Sequence, residues 1–122
     1  MNLTHILCID DDVNTLDNIY KTLTPQGYLI TTARSGGKGI EAAKKITPNL
    51  IFLDFILPDM NGFEIAQELS ILPDLKNVPI VGFSAGVNQD DATMPFGQDF
   101  DAYIAKPIAQ IDLFNLLNQF VR

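Results

Sequence analysis

A single α/β domain, with helices on both faces of a parallel sheet, is the architecture this 122-residue sequence predicts. Three observations carry that expectation. Short apolar runs alternate five times with stretches of helical periodicity, and strand-helix alternation implies a parallel sheet. The run Leu50-Ile51-Phe52-Leu53 is unbroken, as in a strand buried on both faces. The connections are short, with no linker, repeat or low-complexity tract. One domain, residues 1–122, accounts for the chain.

The elements follow in order. His5-Ile6-Leu7-Cys8-Ile9 reads as a buried first strand ending in Asp10-Asp11-Asp12. Val13, Leu16, Ile19, Tyr20 and Leu23 recur at helical spacing, with Asp12 as N-cap and Gly27 as stop. Tyr28-Leu29-Ile30-Thr31-Thr32-Ala33 is β-branched and aromatic, a second strand. Ser35-Gly36-Gly37 marks a loop, and a helix through Ile40, Ala43 and Ile46 closes at Pro48.

The third strand stops at Asp54, followed by turn chemistry in Pro58-Asp59-Met60-Asn61-Gly62, where Asp59 reads as a turn residue. A helix from Phe63 presents Ala66, Leu69 and Leu72, and Pro73 and Pro79 bracket a polar connection. Ile80-Val81-Gly82-Phe83 is a fourth strand ending in Ser84-Ala85. Residues 86–99 include Gly86, Pro95 and Gly97, so a fourth helix there is short or irregular. Ala102-Tyr103-Ile104-Ala105 is a fifth strand before Lys106-Pro107. The last helix uses Ile111, Phe114, Leu117 and Val121, widened by Leu113 and Phe120.

Composition excludes several function classes. The net charge of −7 and the absence of a basic stripe argue against nucleic acid as a partner. No signal peptide is recognisable and no apolar run approaches the ~20 residues that span a bilayer. The single Cys8 cannot form an internal disulfide, lies in an apolar strand and fits a reducing, cytoplasmic setting. His5 opens the first strand, away from the acids. Ser35-Gly36-Gly37-Lys38-Gly39 lacks the Gly-Lys-Ser/Thr ending of a phosphate loop.

The C-terminal ends of parallel strands share one edge of the sheet. Asp10 and Asp11, Asp54, Ser84 and Lys106 are therefore expected together. Packed carboxylates without His or Cys suit a hard cation, Mg²⁺ foremost and Mn²⁺ as an alternative. Lys106 adds a compact positive charge and Ser84 one hydroxyl donor. Together they form a candidate phosphoryl-transfer site with Asp54 as nucleophile.

These residues carry a resemblance. Ile9-Asp10-Asp11, Leu53-Asp54 with Pro58-Asp59-Met60-Asn61-Gly62, Phe83-Ser84-Ala85 and Tyr103-Ile104-Ala105-Lys106-Pro107, in this order, resemble a response-regulator receiver domain of two-component signalling. The pattern is similar to that of the chemotaxis-type single-domain receivers. The resemblance implies a flavodoxin-like doubly wound sheet of strand order 2-1-3-4-5. It implies that Asp54 accepts a phosphoryl group from a histidine kinase or phosphotransfer protein. Asp10, Asp11, Asp54 and the backbone carbonyl of Ile56 would hold Mg²⁺. Ser84 and Lys106 would meet the phosphoryl group, and Tyr103 would turn inward as Ser84 moves. A cis Lys106-Pro107 bond is typical of the family. Output would pass through the face of the fourth helix, fifth strand and fifth helix, to a downstream protein that the sequence does not name. Such a module catalyses only its own phosphorylation and dephosphorylation.

The chain would be either a stand-alone module or a piece of a larger regulator or hybrid kinase. Family experience makes Ile56 and Gly86 tuners of dephosphorylation, and an apolar Ile56 cannot orient an attacking water. Other readings fare worse. A haloacid-dehalogenase-type phosphohydrolase wants a second Asp where Ile56 stands. A flavodoxin-type cofactor domain wants a phosphate loop where three acids stand. The alternative kept is a pseudo-receiver, an interaction module that is not phosphorylated.

Overall fold

The computed structural model describes residues 4–84 and 100–121, with Ser84 described through its main chain only. Five strands, β1 (His5–Ile9), β2 (Leu29–Ala33), β3 (Leu50–Asp54), β4 (Ile80–Ser84) and β5 (Ala102–Ala105), form one sheet of order β2-β1-β3-β4-β5. All four pairings are parallel. The helices described are α1 (Val13–Leu23), α2 (Gly36–Ile46), α3 (Gly62–Ser70) and α4 (Gln110–Phe120).

The two faces of the sheet explain the unbroken apolar runs. Successive strand residues point to opposite faces. Leu7, Ile9, Ile51 and Leu53 enter one core with α2 and α3, through Ile40, Ala43, Ile65 and Leu69. Ile6, Cys8, Leu50 and Phe52 enter the other with α1 and α4, through Leu16, Ile19, Leu113 and Leu117. Every residue of β3 is buried. Phe52 and Phe83 stack across neighbouring strands with ring centroids 4.9 Å apart. Burial of each such side chain stabilises the fold by about 1.5–3 kcal/mol.

Local signals set the helix starts. Asp12 caps α1 by accepting from Asn14 N at 3.0 Å, and Thr15 Oγ1 donates to its other oxygen at 2.9 Å. Those two donors hold the Asp12 carboxyl below its ordinary range. Asn61 and Glu64 form a capping box at the start of α3. After α1 a 3-10 turn ends at Gly27, whose φ of 95° suits glycine. His5 joins the opposite ends of the strands, its backbone N–H donating to Asn49 Oδ1 at 2.8 Å and its ring pairing with Thr31 Oγ1 at 2.6 Å.

Several expectations need correction. Gly36 and Gly37 are not a loop but the first turn of α2, because Ser35 caps that helix and Asp59 takes both glycine N–H groups. Val13, Tyr20 and Ile111 lie at helical spacing yet are at least half exposed, so the buried stripes of α1 and α4 are narrower than the apolar pattern. Leu72 lies beyond α3. The expected irregular fourth helix, in residues 86–99, lies outside the described residues.

Candidate functional site

The site is built by the register of the sheet. Asp10 follows the last residue of β1, and its N–H donates to Ala33 O at 2.9 Å, continuing the ladder one step past the strands. Asp54 ends β3 beside Phe83 of β4. Ser84 ends β4 opposite Ala105 of β5, and Lys106 follows. Three strand ends thus bring Asp10, Asp54 and Lys106 to direct contact.

Lys106 Nζ lies 2.7 Å from Asp10 Oδ2 and 3.4 Å from Asp54 Oδ2. The Lys106–Pro107 peptide bond is cis. Asp10 is fully buried and Asp54 nearly so, whereas Asp11 is exposed. Asp10 Oδ1 accepts from Asp12 N at 2.9 Å, while Asp10 Oδ2 accepts no directed hydrogen bond among the described residues and faces the ammonium. Asp54 Oδ1 receives the Ile56 N–H at 3.4 Å, a long and weak contact.

The electrostatics follow from this crowding. Burial first, and repulsion from Asp10 second, push the Asp54 carboxyl up from 3.8 to about 6, against the pull of Lys106 and the Ile56 N–H. Burial pulls the Lys106 ammonium down, but its pairing with Asp10 and Asp54 outweighs this and holds it above its ordinary value. One ammonium serves two buried carboxylates, and a third stands beside them. Ligand oxygens of Asp10, Asp11 and Asp54 lie within 4.8 Å of one another. Three hard oxygen donors at that spacing, with no softer ligand, fit a Mg²⁺ or Mn²⁺ ion.

Around this cluster, Ile56 is 71% exposed at the mouth of the site. Tyr103 is half-buried, with its ring against the core and 5.5 Å from that of Phe100. Gly82 makes room for both, since a Cβ there would lie 3.0 Å from Tyr103 Cδ1 and 3.1 Å from Phe100 Cδ1. The side chain of Ser84, and Gly86, lie outside the described residues. A cleft of about 500 Å³ opens beside the ammonium, lined by Asp12, Asn14, Thr15, Lys106, Pro107 and Ile108. Another, of about 530 Å³, lies at the far end of β4 near Pro79 and Asp101 and includes none of the clustered acids.

Sequence reasoning missed one arrangement at the site's rim. Asp59 reaches across to α2, accepting from Gly36 N at 2.8 Å and Gly37 N at 2.9 Å. Ser35 followed by glycines was the available signal, since Ser-Gly-Gly before a periodic stretch also describes an N-cap and first turn.

Comparison with known proteins agrees with this geometry. The model of the response regulator receiver domain matches residues 6–118. The transcriptional regulatory protein KdpE of Mycobacterium tuberculosis is 30% identical over 98% of this chain, which spans about half (52%) of KdpE. The chemotaxis response regulator CheY4 of Vibrio cholerae superposes with a TM-score of 0.87 at 22% identity, covering 98% of this chain and 100% of that one. The receiver domain of the Pseudomonas aeruginosa sensor histidine kinase PA1611, solved with a magnesium ion in its active site cleft, gives 0.85 at 24% identity, covering 98% of each chain.

Proposed function

This chain belongs to the response regulator receiver domain family, and from that premise we propose that it is a phosphoacceptor signalling module working through Asp54. A carboxylate oxygen of Asp54 attacks the phosphorus of a phosphohistidine on a histidine kinase or phosphotransfer protein. The P–N bond breaks, its electron pair stays on the imidazole, and the phosphoryl group becomes an acyl phosphate on Asp54. The reading rests above all on one observation: Asp54 is held at the edge of the sheet against Asp10, Asp11 and Lys106.

Each residue has a chemical part. With its carboxyl near 6, Asp54 is mostly ionised at neutral pH and available as a nucleophile. Lys106, already 3.4 Å from Asp54, offers its ammonium to the incoming phosphoryl oxygens. Asp10, Asp11, Asp54 and the Ile56 carbonyl would hold Mg²⁺, or Mn²⁺ in its place. The cation, when bound, neutralises carboxylate and phosphoryl charge together. The magnesium of the similar Pseudomonas domain supports this. The cleft beside Lys106 gives a donor protein an approach to the edge. Ser84 then hydrogen-bonds the phosphoryl group and Tyr103 turns further inward, which alters the face of the expected fourth helix, β5 and the last helix (α4 here) for a downstream protein partner. The exposed apolar Ile56 shields the acyl phosphate, so the phosphorylated state is long-lived.

On this reading the domain comprises residues 1–122 and acts in the cytoplasm through protein partners and not through nucleic acid or membrane, the net charge of −7 counting against nucleic acid. No described helix is long and apolar enough to cross a bilayer. It is a regulator whose only chemistry is its own phosphorylation and dephosphorylation. Incubation with Mg²⁺ and a small acyl-phosphate donor, followed by intact mass, tests the reading. One added phosphoryl group is expected, absent in Asp54→Asn. An unlabelled wild type would instead favour a pseudo-receiver, an interaction module that is not phosphorylated.

A further inference from the structure

The loop that follows Asp54 is fastened at two points. Its base is closed by the bridge between Ile56 and Asn61 and by Gly62 N donating to Phe55 O at 2.6 Å. Its tip is fastened elsewhere. Asp59 Oδ1 and Oδ2 each accept one N–H, from Gly36 and Gly37, 23 and 22 residues away in sequence. Those N–H groups are in the first turn of α2 and have no acceptor within their own helix. The helix N-terminus also carries partial positive charge that favours an anion there. The packing is close: a Cβ on Gly36 would lie 2.9 Å from Ile65 Cδ1 and 3.0 Å from Met60 Sδ.

Ile56 is part of that base, and its N–H also meets Asp54 Oδ1 at 3.4 Å. That contact is too long to hold the Ile56 main chain by itself. We propose that Asp59 is a positioning residue of the metal site, clamping the loop onto the N-terminus of α2 so that the Ile56 main chain stays in register with Asp54. The inference rests on the reading that Ile56 O and Asp54 share a divalent cation. The two carboxylate contacts to Gly36 and Gly37 hold the Asp59 carboxyl below its ordinary range, so the clamp is charged throughout the neutral range.

A structural cap alone would stabilise α2 and leave the metal site unaffected. Ser35 supplies the control, because its Oγ caps the same helix by accepting from Lys38 N at 3.3 Å, with no hydrogen bond to the loop tip among the described residues. The experiment titrates the full chain with MgCl₂ and follows amide chemical shifts in wild type, Asp59→Ala, Asp59→Asn and Ser35→Ala. Asp59→Ala should weaken Mg²⁺ binding by about tenfold, the low end for an outer-shell partner. Asp59→Asn, which keeps one acceptor oxygen, should lose about two- to threefold, and Ser35→Ala should change little. Hydrogen exchange at Gly36, Gly37 and Ile56 should quicken together in Asp59→Ala.

Unchanged Mg²⁺ affinity in Asp59→Ala, or an equal loss in Ser35→Ala, overturns the clamp while leaving the metal site standing. If Asp59→Ala does not fold, wild-type affinity in Asp59→Asn overturns it equally. A wild type that shows no Mg²⁺-dependent shift removes the underlying reading and the clamp with it.

Discussion

Replacing Asp54 by Asn should stabilise the metal-free protein, and by an amount that depends on pH. The carboxyl of Asp54 is raised from 3.8 to about 6 by burial and by Asp10. A carboxyl raised on folding binds protons more tightly in the native state than in the unfolded chain. Its favourable contribution is therefore complete below about pH 4 and is lost as pH rises through about 6. At about 1.4 kcal/mol per pH unit, the ionised Asp54 costs up to about 3 kcal/mol at pH 7.5. Solvent at the exposed Asp11 side screens part of this, so about 1.5–3 kcal/mol is expected. Asn keeps the size and removes the charge. Urea unfolding in EDTA, from pH 4 to 7.5, measures the difference. Asp54→Asn should match wild type near pH 4 and exceed it at pH 7.5. No gain at pH 7.5, or a gain that is constant with pH, would refute the claim that burial and Asp10 together disfavour the ionised Asp54. Adding Mg²⁺ should then stabilise wild type more than Asp54→Asn.

Other outcomes follow from particular contacts. Lys106→Met leaves the fully buried Asp10 without its counter-ion and should cost about 3 kcal/mol by urea unfolding, with Asp10→Asn in the same chain restoring part of the loss. Ile56→Asn should shorten the lifetime of the phosphorylated form, read as loss of label over time; a faster wild type would sink the shielding role. Gly62→Ala sets a Cβ 2.9 Å from the Phe55 main chain and should destabilise by about 1–3 kcal/mol in thermal unfolding. Gly37→Ala, with 3.5 Å to Asp59 Oδ2, should be tolerated within about 0.5 kcal/mol in the same assay.

The residues that were legible in sequence owe it to one rule of geometry. Parallel strands end on one edge, so strand-helix alternation was enough to bring Asp10, Asp54 and Lys106 to that edge, and Lys106 does bridge both acids. Alternating faces likewise made Ile51 and Phe52 core on opposite sides. What was not legible depends on contacts distant in sequence. Nothing near Asp59 shows that its acceptor groups serve a helix more than 20 residues earlier. Nothing in Ser-Gly-Gly tells a loop from a first turn until that carboxylate is in place. Apolar spacing also overstated the core: Val13 and Ile111 lie on the fringe of stripes whose centres are Leu16–Ile19 and Leu113–Leu117. The strand order came from the family resemblance rather than from periodicity, which fixes alternation but not which strands are neighbours.

Charge balance explains why such a site should act in two stages. Three carboxylates face one ammonium, an excess of two negative charges. A phosphoryl group adds more negative charge and would be repelled from that edge. A divalent cation held by these carboxylates would cancel the excess, and Asp11, the exposed member, is the side from which it would enter. On the proposed reading, Lys106 would then be released from part of its double pairing and would turn its charge to the phosphoryl oxygens. On this reasoning, charge reversal at Asp11 should be informative. Asp11→Lys replaces the exposed acid by a cation, relieves repulsion without touching the buried pair, and should raise stability in EDTA. It should at the same time abolish Mg²⁺-dependent labelling of Asp54. Retained labelling would mean that Asp11 is a bystander and that Asp10 and Asp54 alone meet the cation's needs.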